Sequence, residues 1–243
     1  MIPREPGCKP VAELAGVGTP RVAFRVCRVR LRQMGVFELT RGIVLGVVLG
    51  LLMAEAATAQ SAEGQSDLPS YKIFRTSEPI RLDGKLDEHA WFAAPRCRPF
   101  RFTWYQEGKK EQTVVKMLWD DENLYIAHIC QDAHITARHK QHDDPIPEDD
   151  CFEIMVAPSA DNENSYFNIE WNLHGGYVDG HRPEGPTGPR QPWDVEGLRI
   201  ASSYRGTLND DTDQDRYWAA EVAIPLRNFA PFMPHMPPEP GDR

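Results

Sequence analysis

Hydrogen-bonding side chains occupy every second position of one predicted β-strand in this 243-residue chain. They are Tyr166, Asn168, Glu170 and Asn172 in the stretch YFNIEWN, and Glu153 stands in the preceding stretch, CFEIMVA. Period-two alternation predicts two strands that each have one apolar and one polar face. Amides, carboxylates and a phenol on rigid strands offer fixed donors and acceptors, which suit a neutral polyhydroxyl ligand. The alternative is an outer face that only water covers.

The two glutamates of these strands also allow a catalytic interpretation. Glycoside hydrolysis uses two carboxyl groups about 5–9 Å apart, a separation that Glu153 and Glu170 on adjacent strands could supply. One carboxyl group must act as an acid with a raised pKa, which requires apolar surroundings. Because amides fill the rest of the strand, we favour a binding site over a catalytic one. The sequence contains no serine nucleophile elbow, P-loop or dinucleotide-binding fingerprint.

Three aromatic residues are candidates for stacking against a sugar ring. Trp104, Tyr105 and Trp193 lie in predicted loops or at strand edges, and the C–H face of a sugar packs well on an aromatic ring. Large aromatic side chains are seldom left fully exposed, so ordinary partial burial is the alternative for each of them.

Two oxygen-rich loops are candidate metal sites. Asp211, Asp213 and Asp215 alternate in NDDTDQD, as calcium ligands do, but the glycine and final glutamate of an EF-hand loop are missing. Residues 161–164 form a second such loop. The alternative for both is a solvated hairpin turn. Four histidines between positions 128 and 142 lack the tight paired spacing of zinc ligands, so their spacing does not predict zinc.

A short apolar run near the N-terminus has the features of a secretory signal peptide. Residues 43–54 (IVLGVVLGLLMA) follow a basic residue and precede an A-x-A site that ends at Ala59. The run is shorter than the ~20 apolar residues that span a bilayer. We therefore expect cleavage near Ala59 and a secreted or periplasmic protein. Residues 1–33 come too far upstream for a normal signal peptide, so we expect translation to start at Met34, with a genuine extension as the alternative.

Cleavage at this site leaves an acidic protein. The first 59 residues hold 8 of the 27 Lys and Arg and 4 of the 36 Asp and Glu, so the remainder has a net charge of −13. An acidic domain binds nucleic acid and anionic membranes poorly, and we expect neither partner. Cys97, Cys130 and Cys151 remain, and two of them lie in apolar strands. We expect them to be small buried hydrophobic residues rather than a disulfide framework.

The strand pattern predicts an all-β fold. Short strands separated by turns, with no long amphipathic helix, are typical of an antiparallel β-sandwich. Asp87 is expected to cap a short helix through Trp91, which should plug the core. Residues 60–70 are predicted to be a linker, and residues 131–148 and 175–192 long loops. The predicted strands are 71–74, 113–119, 124–130, two within 149–172, 198–205 and 216–226.

Seven stretches occur in the following order: IRLDGKLDEHAW, VKMLWDDENLYIAHICQD, EDDCFEIMVAP, YFNIEWN, WDVEGLRIA, GTLNDDTDQDRYWAAEVAIPL and PPEPGD. Taken together in this order, they resemble family 9-like carbohydrate-binding modules. The resemblance covers residues 71–243 and implies a jelly-roll-like or DOMON-like sandwich. Relatives are attached to xylanases and other glycoside hydrolases, and characterised members bind sugar chain ends. The implied function is a secreted, non-catalytic domain that binds carbohydrate in support of carbohydrate catabolism.

The resemblance supports some site residues and leaves others in doubt. Glu153, Asn168 and Glu170 stand where the family has sugar-contacting polar residues. The xylanase-borne members hold a sugar between two tryptophans, but Ile146-Pro147 replaces the first, and the chain ends at Arg243 where relatives continue. We therefore expect the sandwich to lack its last strands and to bind sugar weakly.

Related proteins also imply two possible cofactors. Relatives bind calcium structurally, which keeps the two oxygen-rich loops as candidates. Related sandwiches carry haem through methionine and histidine ligands, and Met117 and His128 lie on facing strands of a predicted hairpin. A haem-binding redox domain is therefore a third candidate function, although nothing else in the sequence supports axial ligation.

Overall fold

Nine β-strands form most of the regular structure in the computed structural model, which describes residues 21–27, 71–76, 78–100, 111–159, 162, 164–233 and 235–239. One short α-helix, α1, spans His89–Ala93, and 3₁₀ helices span Ile146–Glu148 and Leu226–Phe232. The strands are β1 Arg21–Cys27, β2 Phe74–Arg75, β3 Thr113–Trp119, β4 Asn123–Gln131, β5 Cys151–Ala157, β6 Tyr166–Asn172, β7 Tyr177–Arg182, β8 Arg199–Arg205 and β9 Tyr217–Pro225.

The strands are arranged in two sheets. One sheet has the order β1-β5-β6-β7 and the other the order β2-β3-β4-β9-β8. Neighbouring strands are antiparallel except for β2 and β3, which pair in parallel over two residues. The prediction of an all-β antiparallel sandwich is therefore confirmed.

Alternating apolar residues of both sheets form one shared core. Because side chains of a strand point to opposite faces in turn, each strand gives every second residue to this core. From β5 and β6 the core receives Phe152, Ile154, Phe167, Ile169 and Trp171, all of them fully buried. Opposite them the main contributions of the second sheet are Val115, Met117, Ile126, Trp218, Ala220, Val222 and Ile224.

A smaller apolar cluster lies beneath α1. Trp91 is buried there, as predicted, and its Nε1–H donates to Glu221 Oε1 at 2.8 Å. The same carboxylate accepts the backbone N–H of Asp83 and of Gly84. Gly84 has a φ of 77°, and a Cβ there would lie 2.7 Å from the Ser202 carbonyl carbon, so the close approach of the two backbones requires glycine.

The structure corrects three local predictions. Residue 88 rather than Asp87 caps α1, and it makes no side-chain capping hydrogen bond. Residues 175–192 were expected to form a loop, but they contain β7, which pairs with β6 along its whole length. Glycine and proline residues, which are typical of loops, flank β7 in the sequence, and the sequence pattern therefore did not predict a strand there. The first predicted strand, 71–74, is reduced to Phe74–Arg75.

The N-terminal strand β1 pairs with β5 over seven residues, from Arg21 opposite Ala157 to Cys27 opposite Cys151. It precedes the predicted cleavage site at Ala59. The predicted signal peptide, linker and residues 240–243 lie outside the described residues. None of the helices in the described part of the chain has the length and apolar content for a membrane crossing.

Candidate functional site

The predicted polar row lies on one face of the four-stranded sheet. Glu153 is directly opposite Glu170 across β5 and β6, and Cys151 is opposite Asn172. Met155 is opposite Asn168, so the face continues along both strands. The alternation in the sequence therefore assigned these side chains to the correct face, away from the apolar core.

This face is not the solvated surface that the sequence pattern indicated. Glu153, Asn168, Glu170 and Asn172 expose only 5%, 8%, 6% and 0% of their surface, whereas Tyr166 is partly buried. The expectation of a wet face is therefore wrong for most of the row. Period-two alternation shows which residues share a face, but it holds no information on whether other segments cover that face.

Cys151 joins the polar face at the level of Glu170. Its Sγ donates to Glu170 Oε1 at 2.8 Å. Burial and the nearby carboxylates of Glu170 and Glu153 raise the pKa of the Cys151 thiol well above its ordinary value. The thiol is therefore protonated and acts as a hydrogen-bond donor rather than a nucleophile. Cys97 and Cys130 are likewise buried and free, as predicted.

Asn172 closes one end of the row, and its amide is fully used within the protein. Its Nδ2 donates to the carbonyl of His139 at 2.8 Å and to Asp149 Oδ2 at 2.7 Å. Its Oδ1 accepts the N–H of His174 and of Gly176. These four bonds use both amide donors and both acceptor lone pairs. Asn172 therefore holds the turn after β6 and has no hydrogen bond left for a ligand.

The other end of the row contains an arginine that sequence reasoning missed. Gly180 of β7 is opposite Asn168, and a Cβ at Gly180 would lie 2.1 Å from Arg190 Nε. The exposed Arg190 therefore lies across Gly180 on the same face as Asn168. Asn168 Oδ1 is buried and has no hydrogen-bond partner among the described residues. A glycine opposite a polar strand residue was the only sequence signal for this arrangement.

Of the three predicted aromatic platforms, Trp193 lies among the described residues, and it does not join the polar face. Trp193 packs on Phe167 at 4.5 Å and on Phe229 at 5.8 Å between ring centroids. Since Phe167 points into the core, Trp193 lies on the opposite side of the sheet from Asn168. Trp104 and Tyr105 lie outside the described residues.

The three aspartates of the predicted calcium loop differ in burial and in the groups that they contact. Asp215 is buried and accepts the N–H groups of Ile135 and Thr207, each at 2.7 Å. Asp213 accepts the Thr207 hydroxyl, and Asp211 is exposed. The described residues therefore do not present these three carboxylates as one ligand set. In the other oxygen-rich loop, residues 161 and 163 lie outside the described part.

Asp215 is one of several acidic residues that fix the connection between β4 and β5. The six consecutive N–H groups of residues 134–139 all donate to side-chain oxygens rather than to a neighbouring strand. Such bonds satisfy backbone donors that would otherwise be buried without partners. The acceptors, in order, belong to Asp132, Asp215, Asp150, Asn209 and, for the last two, Asp149.

Burial favours a protonated carboxyl group at one position of this set. Burial and the charge of Asp132 raise the pKa of Asp150 to about 9. Burial also raises the pKa of Asp132, with the charge of Asp215 adding to the effect. The Asp150 carboxyl group is therefore protonated at neutral pH and donates to Asp132.

His128 is a core residue rather than a haem ligand. Its Nε2 accepts the Trp171 Nε1–H at 3.1 Å, and its Nδ1 lies 3.4 Å from Cys130 Sγ. Its ring stacks on Phe152 with 4.3 Å between centroids. Burial lowers its pKa to about 3. Both ring nitrogens are thus engaged by protein groups, which leaves neither available for iron.

The sequence and the structure of this chain were compared with those of known proteins. No curated protein sequence matches the chain. A candidate carbohydrate-binding protein from Bacteroides uniformis is similar in structure, with a TM-score of 0.52, 18% identity, and coverage of 69% of this chain and 76% of that chain. That likeness supports the shared fold.

Two structures of a carbohydrate-binding module family 9 domain from Caldicellulosiruptor kristjanssonii are also similar. The complex with cellotriose has 14% identity, a TM-score of 0.43 and coverage of 68% and 69% of the two chains. The complex with glucose has 13% identity, a TM-score of 0.44 and coverage of 69% and 71%. The family model described as carbohydrate family 9 binding domain-like matches residues 82–184, which include β5 and β6, so this region of the chain is similar to that family.

Proposed function

We propose that this domain binds a neutral carbohydrate without turning it over, at the polar face of the four-stranded sheet. The observation that carries the proposal is that the family match spans both strands of the polar row. Those strands bring Glu153, Asn168 and Glu170 together on one face. The net charge of −13 after the predicted cleavage disfavours acidic glycans, because they would be repelled at long range.

We expect the sugar to enter at the Arg190 end of this face. Arg190 is exposed and Tyr166 is partly buried, whereas Glu153 and Glu170 are almost fully covered. A guanidinium group offers five donors to sugar hydroxyls, and Asn168 Oδ1 can accept from one of them. The first contacts therefore fall on Arg190, Tyr166 and Asn168, and contact with the glutamates requires the covering segments to move.

A hydrolytic role for the glutamate pair is disfavoured by its surroundings. Glu153 and Glu170 are directly opposite one another, so their separation alone would allow catalysis. Glu170 already accepts the Cys151 thiol, and both carboxylates are buried, so a substrate and a water molecule would have no access. We therefore propose a secreted binding module that can accompany glycoside hydrolases rather than a hydrolase.

Affinity electrophoresis against neutral and acidic polysaccharides, followed by calorimetry with oligosaccharides, tests this proposal. Arg190→Ala should weaken binding about tenfold or more, since a hydrogen bond to a charged group contributes about 1.5–3 kcal/mol. Glu153→Gln should have a smaller or similar effect. Arg199→Ala, on the edge strand β8 of the other sheet, is the matched control and should bind normally.

Two results would contradict the proposal. One is a folded protein that binds no neutral glycan, and the other is a bound glycan whose affinity is unchanged in Arg190→Ala and Glu153→Gln alike. Release of reducing sugar from xylan or cello-oligosaccharides, abolished in Glu170→Gln, would establish hydrolysis instead.

A further inference from the structure

A cluster of one histidine and three aspartates lies at the outer edge of β7, on segments far apart in the sequence. His142 and Asp143 come from the connection between β4 and β5, Asp179 from β7, and Asp194 from the connection between β7 and β8. One ligand atom each from His142, Asp143 and Asp194 lies within 4.8 Å of the other two. Histidine spacing in the sequence did not predict this cluster, because its other members come from distant positions.

The distances from His142 to the three carboxylates are close to those between the ligands of one metal ion. His142 Nε2 lies 3.0 Å from Asp179 Oδ1, 3.7 Å from Asp143 Oδ1 and 3.8 Å from Asp194 Oδ1. In a tetrahedral site with metal–ligand bonds of about 2.0–2.1 Å, neighbouring ligand atoms are about 3.3 Å apart. Small side-chain movements would therefore bring these atoms to coordinating positions.

The position of His142 is fixed by Tyr177, which contacts both its ring and its backbone. Its ring stacks on Tyr177 with 4.4 Å between centroids, and its backbone pairs with Tyr177 as an isolated bridge. Asp143 N–H also donates to the Tyr177 carbonyl at 2.9 Å. The imidazole is therefore held with Nε2 directed at the carboxylates, as a ligand must be.

Asp179 is a buried carboxylate that points into the cluster. Its side chain is 0% exposed, whereas those of Asp143 and Asp194 are 63% and 76% exposed. Oδ2 of Asp179 accepts the Val195 N–H at 2.6 Å, and Oδ1 makes a hydrogen bond with His142 Nε2 at 3.0 Å. A buried charge is costly unless it is paired, so a cation next to Oδ1, in contact with both Asp179 and His142, would stabilise this carboxylate.

One imidazole does not balance three carboxylates. Even when His142 is protonated, the four groups carry two excess negative charges, and when it is neutral they carry three. A divalent cation would neutralise most of this charge.

We propose that His142, Asp143, Asp179 and Asp194 form a binding site for one divalent transition metal ion, with zinc the best match. An imidazole nitrogen among carboxylate oxygens suits zinc, whereas calcium takes six to eight oxygen ligands. The bound ion would connect β7 to the segments on either side of it. One of those segments contains His139, whose carbonyl holds Asn172 of the polar row.

Calorimetric titration of the chelator-treated full-length protein with zinc chloride tests the proposal. We expect one ion per chain with a Kd on the order of 1 μM or below, and a melting temperature that rises with zinc. Asp194→Asn should weaken zinc binding at least about tenfold, and because its side chain is exposed, the variant should fold normally. His142→Asn should abolish binding.

His89→Ala is the matched control, since His89 is an exposed histidine that, among the described residues, pairs with a single carboxylate, that of Glu78 at 3.2 Å. Its zinc affinity should equal that of the wild-type protein. Millimolar binding only, equal affinity for calcium, or unchanged zinc affinity in both Asp194→Asn and His142→Asn would overturn the proposal.

Discussion

At the scale of single residues, most buried acidic groups of this domain serve the backbone. Glu221, Asp149 and Asp215 each accept two or more hydrogen bonds from N–H groups, and at least one of those is a backbone donor. In the sequence, the aspartates of NDDTDQD resemble a calcium-binding loop. A one-dimensional pattern cannot show that an aspartate turns inward to an amide, because the amide comes from a distant segment. Asp215, for example, binds Ile135, 80 residues away.

His128 gives a residue-scale prediction about pH. Its pKa is about 3 in the folded protein because of burial, and about 6.5 in the unfolded chain. Below pH 6.5 the unfolded chain takes up a proton that the folded protein does not, so stability falls as the pH falls from about 6.5 to about 3. We expect His128 to cost about 2–3 kcal/mol between pH 6.5 and pH 4.5.

Urea denaturation of wild type and His128→Gln across this pH range measures that cost. Glutamine removes the titration and can still accept the Trp171 N–H. The difference in unfolding free energy between the two proteins should therefore shift in favour of the variant as the pH falls. Parallel pH curves would show that His128 does not titrate as the packing indicates.

At the scale of elements, the predictable strands were those with an uninterrupted apolar alternation. β3 has the bounds predicted from TVVKMLW, and β8 and β9 differ from theirs by one residue at each end at most. β7 was missed because its sequence, YVDGHR, has polar residues on both faces. Its core-facing Asp179 is paired by His142, and its outward Gly180 is covered by Arg190, so tertiary contacts rather than local pattern make it a strand.

The connection between β4 and β5 gives an element-scale prediction with the opposite sign from that of His128. The pKa of Asp150 is about 9 in the folded protein, raised by burial and by Asp132, whereas an unfolded aspartate has a pKa of about 3.9. The folded protein therefore retains a proton that the unfolded chain releases, and stability falls as the pH rises from about 4 to about 9.

Asp150→Asn should remove this dependence, since the amide oxygen can still accept the Thr136 N–H. Relative to wild type, the variant should gain at least about 1 kcal/mol of stability between pH 5 and pH 8. Denaturation of both proteins in the presence of a metal chelator measures this gain in unfolding free energy. Asp210→Asn, an exposed neighbour of the same acidic region, should show no gain. A loss of stability at pH 8 would mean that the Asp150 carboxylate is ionised and needed.

At the scale of the whole molecule, composition and strand spacing were enough to predict a β-sandwich, because one apolar face per strand demands a second sheet to cover it. The candidate site was predictable only as a set of residues on one face. Its burial and the position of Arg190 depend on how loops cross the sheet, and no periodicity records that.

Without β1, β5 would become an edge strand of its sheet, and the last prediction follows from this. The predicted cleavage near Ala59 would remove residues 21–27, which pair with the full length of β5. An unpaired edge strand recruits other chains through its free N–H and C=O groups. We therefore expect a protein of residues 60–243 to self-associate more strongly than the full chain, as judged by light scattering after size-exclusion chromatography.

A substitution within β5 tests whether that edge is the cause. Met155 is a partly exposed residue on the polar face of β5, and a lysine there would place a charge beside the open edge, which disfavours strand addition. Met155→Lys in residues 60–243 should therefore reduce the self-association, whereas Tyr204→Lys on β8, an exposed position of the other sheet, should not. If residues 60–243 are monomeric and melt cooperatively, β5 does not need β1 as its partner, and N-terminal sequencing of the secreted product would then be expected to give a terminus near Gln60.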